Sequence, residues 1–258
     1  MRKVLGLFLV VVLSMWGMVF MGNLAFGLTA DEILDTMKEK EAHFETQRIQ
    51  GKMVLTDSKG KSEIREVVMY SKDEGDDKTS MVIRFLSPAE VKNVTLLNLK
   101  SGEKMYLYMP AFKKVRLIAG SSKKEKFAGT SFSYEDFGKS YNREDYESKL
   151  LGEDDTNYQL ELYPKDPESD YSKLVMLVDK EKFYFKKIDF FDKDGNLWKT
   201  LDVLKVEERE DGTTRFLEIA FSDLKEETKT TFTMEKIEEN IPLAGDFFSV
   251  RTIQKPSL

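Results

Sequence analysis

From residue 49 to residue 237 the sequence is a succession of short apolar runs separated by tight polar turns. This pattern limits the fold more than any other feature of the chain. The candidate strands are Ile49–Thr56, Glu63–Ser71, Ser80–Leu86, Thr95–Leu99, Lys104–Met109 and Lys114–Ile118. A second series comprises Tyr158–Tyr163, Lys173–Asp179, Phe183–Phe191, Leu197–Val206, Arg215–Ser222 and Thr230–Ile237. Their connections carry turn chemistry: Asp57-Ser58-Lys59-Gly60, Asp73-Glu74-Gly75-Asp76, Ser101-Gly102, Asp194-Gly195-Asn196 and Asp211-Gly212. Strands this close and this tightly linked predict antiparallel meanders. No long Pro/Ser/Gly linker interrupts them, which predicts one domain over residues 28–258. A looser stretch from Gly120 to Gly152 reads as a flap or a helical excursion.

Two kinds of strand occur. Arg215–Phe221 alternates in the ordinary way, with Leu217, Ile219 and Phe221 on one face. Others are apolar on both faces. In Lys104–Met109 the residues Met105, Leu107 and Met109 point one way, and Tyr106 and Tyr108 the other. Met81–Leu86 sets Met81, Ile83 and Phe85 against Val82 and Leu86, with Arg84 the exception. A sheet with one wet face has no use for this. Either another layer covers the second face, or the sheet curves around an apolar cavity.

The strands are preceded by one clear helix. Thr29-Ala30-Asp31-Glu32 is a capping box, and Ile33, Leu34, Met37 and Phe44 recur at helical spacing. His43, the only histidine, is expected in its last turn as a helix-end side chain. Residues 1–27 have a basic start at Arg2 and Lys3, an apolar stretch from Val4 to Met21, and the small residues Ala25 and Gly27 flanking Phe26. That is the pattern of a cleaved secretory signal, with an uncleaved anchor as the other reading. Its removal takes the net charge from −6 to −8. The chain has no cysteine, so an exported form depends on core burial alone. No Cys follows the apolar run, so the chain is not itself an N-terminally lipid-modified lipoprotein.

These counts exclude several chemistries. There is no thiolate nucleophile, Cys-ligated metal or iron–sulfur cluster, and one His builds no multi-histidine site. The acidic balance lacks the basic footprint of a nucleic-acid binder. Asp192-Lys193-Asp194-Gly195-Asn196 opens like a calcium loop, but no Glu closes it, and Asp-Gly between strong strands reads as a hairpin turn. No phosphate loop or Gly-x-Ser-x-Gly elbow occurs. Carboxylates such as Glu135 and Asp136 are read mostly as surface charge, and no enzyme activity is expected. One basic stretch stands out: Lys113, Lys114 and Arg116, then Lys123, Lys124 and Lys126, flanked by Phe112 and Phe127. It reads either as a solvated loop or as a patch for anionic head groups or an acidic partner.

Three motifs then occur in order. They are Arg84-Phe85-Leu86-Ser87-Pro88-Ala89-Glu90-Val91-Lys92-Asn93, the run Tyr108-Met109-Pro110-Ala111-Phe112-Lys113-Lys114-Val115-Arg116, and Phe127-Ala128-Gly129-Thr130-Ser131-Phe132-Ser133-Tyr134-Glu135-Asp136. Together with Ile241-Pro242-Leu243-Ala244-Gly245-Asp246-Phe247 they resemble the outer membrane lipoprotein-sorting protein family of the LolA-like superfamily, related to LolA, LolB and the RseB sensor domain. The match departs at Asn93, where that family often has Gly.

The resemblance implies a mainly β, α+β fold: a strongly curved antiparallel sheet, or incomplete barrel, with a helical plug. It also implies a periplasmic, monomeric, non-enzymatic carrier without cofactor or metal. Such a carrier shelters acyl chains of a lipoprotein or lipid in an apolar cavity and exchanges them with an inner-membrane transporter or outer-membrane acceptor. Met81, Ile83, Phe85, Leu97, Leu99, Met105, Leu107 and Met109 are the candidate wall residues. Lys113, Lys114, Arg116, Lys123, Lys124, Phe127 and Tyr134 are the candidate docking residues. The alternative is an envelope sensor or accessory module for a membrane transporter or signalling protein, with those docking residues as its contact surface.

Overall fold

A computed structural model of the protein describes residues 27–138 and 141–258. Most of the signal-like segment therefore lies outside the described residues. Helix α1 (Ala30–Lys40) starts at the expected capping box, with Thr29 Oγ1 accepting from the Glu32 amide at 3.2 Å and Glu32 Oε2 accepting from the Thr29 amide at 2.8 Å. It stops before the expected end. Glu41 is already extended, and His43 is exposed beyond the helix. Between Met37 and Phe44 the only apolar residue is Ala42, so a further turn has little to bury.

The strands are β1 (Thr46–Thr56), β2 (Ser62–Asp73), β3 (Thr79–Ser87), β4 (Thr95–Leu99), β5 (Lys104–Met109), β6 (Lys114–Ile118), β7 (Tyr146–Glu153), β8 (Asn157–Pro164), β9 (Lys173–Asp179), β10 (Phe185–Phe191), β11 (Leu197–Glu208), β12 (Thr214–Asp223) and β13 (Thr228–Glu239). All twelve expected strands are present, with ends shifted by at most a few residues. The addition is β7, inside the stretch read as a flap. It is an edge strand in which Glu147, Lys149, Leu151 and Glu153 face water, which hides the apolar alternation.

All thirteen strands form one curved, unclosed antiparallel sheet in the order β6-β5-β4-β3-β2-β1-β13-β12-β11-β10-β9-β8-β7. The chain walks outward from β1 to one edge, and later walks back from the other edge to pair β13 with β1. Strands β6 and β7 are thus consecutive in sequence and at opposite edges of the sheet. The chain between them crosses one face, called here the inner face, through residues 119–138.

That crossing answers the question posed by the doubly apolar strands. On the inner face, Phe127 and Tyr134 pack with the arm β1–β6, and Phe132 packs with the arm β7–β13. Phe137 touches both groups. Helix α1 joins the second group through Ala30, Ile33 and Leu34. On the outer face, Val68, Tyr70, Val82 and Leu97 are covered by the segment after β13, through Ile241, Leu243, Phe247, Phe248 and Ile253. The last of these belongs to helix α2 (Val250–Ile253). Arg84, 2% exposed, fastens this cover: its Nη2 donates to the Ile253 carbonyl at 2.8 Å, its Nη1 to the Lys255 carbonyl at 2.9 Å, and its Nε to Thr95 Oγ1 at 2.8 Å. Each nitrogen of the one charged residue in an apolar run therefore has an acceptor, as a buried guanidinium requires.

Asn93, where the family pattern often has Gly, has φ 63°, and its amide donates to the Phe85 carbonyl at 2.8 Å. The position needs the left-handed region, which Asn tolerates better than most residues. The Asp192–Asn196 stretch is a hairpin turn between β10 and β11. Asp192 Oδ1 accepts from the Asp194 and Asn196 amides, and Gly195 has φ 81°.

Candidate functional site

Strand alternation decides which of the candidate wall residues share a face. Ile83 is registered with Met69 and with Leu96, and Leu96 with Leu107. Ile49, Met53, Val67, Ile83, Phe85, Leu96, Met105 and Leu107 therefore line one continuous inner wall, with Met81 and Met109 at its margins. Six of the eight candidates lie on it. Leu97 and Leu99 do not: Leu97 is registered with Val82 and Tyr106, and both leucines pack on the outer face under the C-terminal segment. Leu96, one residue earlier, occupies the inner position.

The wall is not open. Phe127 stacks on Phe85 with centroids 5.2 Å apart and planes at 21°. Tyr134 and Phe137 meet Phe127 edge-on at 5.8 and 5.3 Å. Phe137 continues to Phe132 at 5.2 Å, and Phe132 stacks on Phe221 at 4.5 Å. A chain of rings thus bridges the two arms. Each such pair contributes roughly 0.5–1.5 kcal/mol beyond the area it buries.

A small number of polar bonds hold this segment down. Arg65 Nη1 donates to the Ala128 carbonyl at 2.5 Å, with its guanidinium over the Phe85 ring at 5.3 Å. The Asn98 amide group donates to the Phe137 carbonyl at 2.7 Å, and the Ser131 amide to Thr230 Oγ1 at 2.9 Å. A further tie is ionic. Lys199 on β11 is 3% exposed and Asp136 5%, with Nζ–Oδ2 at 3.1 Å. Asp136 also accepts from the Ser133 amide and hydroxyl, both at 2.7 Å, and from the Tyr171 hydroxyl at 2.7 Å. Lys199 reaches the Tyr171 hydroxyl at 3.0 Å and lies 4.7 Å from the Trp198 ring centroid. Burial, and then Asp136, push the Tyr171 phenol well above its usual range, so it stays a donor. Asp136, expected on the surface, is instead the buried counter-ion of a lysine 63 residues away in sequence.

The candidate docking residues divide as well. Phe127 and Tyr134 are interior and form no exposed surface. Arg116 is engaged with Glu125 and Ser122, Lys124 with Asp170, and Lys123 with the Gly102 carbonyl. Lys113 and Lys114 are exposed at the turn between β5 and β6.

Two clefts flank the covered wall; charged and polar residues are most of their lining, with Met105 of the wall reaching the larger. One, of about 620 Å³, lies between the turns Asp76–Lys78 and Lys100–Glu103 and residues 142–146 and 164–166. The other, of about 210 Å³, runs beside Gly129 and Ser131 between Arg65, Thr228 and Thr230. The apolar space expected from the strand pattern is thus occupied by the protein's own rings. Residue-type patterns could have pointed to this: four aromatics within Phe127–Phe137 are too many for a solvated loop. The Lys199–Asp136 pairing has no local signal at all.

A family model with the description "Uncharacterized protein" matches residues 77–255. No curated protein matches the sequence. Among solved structures, a domain assigned to outer membrane lipoprotein sorting from Vibrio parahaemolyticus is similar at 24% identity and TM-score 0.81, covering 88% of this chain and 98% of its own. A DUF1329 family protein from Desulfovibrio piger follows at 24% identity and TM-score 0.79, covering 87% and 97%. A LolA superfamily protein from Nitrosomonas europaea has 19% identity and TM-score 0.68, covering 87% and 99%.

Proposed function

The chain belongs to the family whose model spans residues 77–255 and carries the LolA-superfamily fold; from that premise we propose that it is a non-enzymatic carrier of acyl chains. In this reading its cargo is a lipid or the lipid moiety of a lipoprotein, and its place is the periplasm. Among the described residues no helix is long and apolar enough to cross a membrane, and the signal-like residues 1–27 provide the export.

The observation that carries the proposal is the way the inner wall is covered. An apolar face of eight core residues is closed by one crossing segment, whose rings stand where an acyl chain would lie. Energetics permit the exchange. Exposing four aromatic side chains costs roughly 6–12 kcal/mol, taking about 1.5–3 kcal/mol for each. An acyl chain of about sixteen carbons gains roughly 13 kcal/mol on leaving water, at about 0.8 kcal/mol per CH₂. The two apolar terms are of similar size, so the cargo competes with the rings for the wall, and the Lys199–Asp136 pair adds to the cost of displacing the segment. Met53, Met81, Met105 and Met109 on or beside the wall suit mobile chains, because thioether side chains adapt to irregular shapes.

The test is native mass spectrometry of protein purified from its own cells, scored for bound lipid or lipid-modified peptide. Adducts released by organic solvent are the expected result. Lipid-free protein that also takes up no fluorescent fatty acid contradicts the reading.

A further inference from the structure

In an antiparallel meander every second connection emerges at the same end. The β1–β2, β3–β4 and β5–β6 connections therefore lie together at one end of the first arm. These connections and the first residue of β6 contain five lysines, Lys59, Lys61, Lys92, Lys113 and Lys114, against the carboxylates Asp57 and Glu90. Asp57 is occupied with the Lys59 and Lys61 amides. None of the five lysines makes an ion pair among the described residues, where cations such as Lys52, Lys78 and Lys124 do. All five side chains are exposed.

The same end carries the most exposed large apolar side chain of the described residues, Phe112, at 68%. It sits at the tip of the β5–β6 turn, directly before Lys113, whose φ of 49° sharpens the turn. Ile64, 60% exposed, lies near the same end on β2. An aromatic ring projecting from a convex turn between free ammonium groups offers no groove and little area for a protein partner, which needs about 800 Å² per side. It does fit a lipid surface, where the ring enters the interface and the lysines meet phosphates. The rest of the chain is net acidic, so such a surface attracts this end in preference to the others.

We infer that the Phe112 tip, with Lys113, Lys114 and the neighbouring turn lysines, docks the protein on an anionic lipid bilayer. The tip leads through β6 straight into the ring-bearing crossing segment, so docking brings that segment near the lipid. The inference goes beyond acyl binding and stands on separate residues.

The experiment is co-sedimentation of protein purified from its native cells with two kinds of vesicle. One contains phosphatidylethanolamine with phosphatidylglycerol; the other is phosphatidylcholine alone. Binding to the anionic vesicles is expected, fading as salt rises. Lys113→Gln with Lys114→Gln should weaken it about 25-fold, and Phe112→Ala about tenfold, with circular dichroism and fatty-acid uptake unchanged. These side chains are exposed, so the variants should fold. Equal binding to both vesicles, variants that bind like the wild type, or no vesicle binding at all overturns the inference. Loss of acyl uptake with vesicle binding intact counts against the carrier reading instead.

Discussion

Lys199 Nζ lies 3.1 Å from Asp136 Oδ2, and both side chains are almost wholly buried. This contact is one of several that tie the crossing segment to the far arm of the sheet, beside the Ser131–Thr230 bond and the Phe132–Phe221 stack. Breaking a buried pair leaves an uncompensated charge, so Asp136→Ala should lower stability by about 3–5 kcal/mol in urea denaturation. Replacing both partners, Asp136→Leu with Lys199→Met, should recover part of that loss, since the Ser133 amide and the Tyr171 hydroxyl still lose their acceptor. A double variant no more stable than the single one contradicts the assignment of the loss to the stranded ammonium.

The outer face depends on Arg84 in a comparable way. Arg84→Lys keeps the charge but cannot reach Thr95 Oγ1 and the Ile253 and Lys255 carbonyls together. The expected result is a C-terminal segment that is cut early in limited proteolysis, with a stability loss of about 2 kcal/mol. Unchanged cleavage after residue 240 would remove Arg84 from that role.

Gly51 sits at the bulge where β1 meets β13, and a Cβ there would stand 2.1 Å from the Thr233 carbonyl oxygen. The obstacle is backbone, so side-chain rearrangement gives no relief. Gly51→Ala should cost about 3 kcal/mol, read as a lower denaturation midpoint at unchanged slope. A variant within experimental error of the wild type would show that the two strands separate more easily than their registry indicates.

Asp192 is one of several carboxylates whose lowered pKa contributes to acid sensitivity, beside Glu161 and Asp179. The Lys225 ammonium, 2.7 Å from Asp192, and the Asn196 and Asp194 amides hold the Asp192 carboxyl down at about 2, below its ordinary 3.8. A depressed folded pKa stabilises the fold above the ordinary value, and that contribution disappears as pH falls through the folded one. Between about pH 4 and pH 2 the wild type should therefore lose stability more steeply than Asp192→Asn. Parallel curves in urea titrations across that window would assign the acid loss elsewhere.

Much of the fold was legible because it is local. The Thr29 capping box starts α1, and turn residues such as Asp194-Gly195 fall between strands whose alternation is easy to read. The double apolarity of Met81–Leu86 and Lys104–Met109 left two readings open, a covering layer or an apolar cavity, and did not announce the source of the cover that both faces have. Outer cover from Phe247 and Ile253, and inner cover from Phe127 and Phe137, depend on contacts between distant parts of the sequence. The wall list mixed two faces at β4, where a five-residue strand apolar at both Leu96 and Leu97 gives no clue to its phase. Asp136 looked like one surface carboxylate among many, since nothing near it in sequence announces Lys199 or Tyr171.

The central claim is that acyl chains occupy the wall that the ring segment now covers. The absence of cysteine makes a clean test available. Ser131 Oγ and Thr228 Oγ1 are 3.2 Å apart, so Ser131→Cys with Thr228→Cys should form a disulfide that pins the segment to β13. Uptake of a fluorescent fatty acid is then measured before and after reduction. The account predicts no uptake in the oxidised protein and wild-type uptake once the bond is reduced. Equal uptake in both states would contradict it.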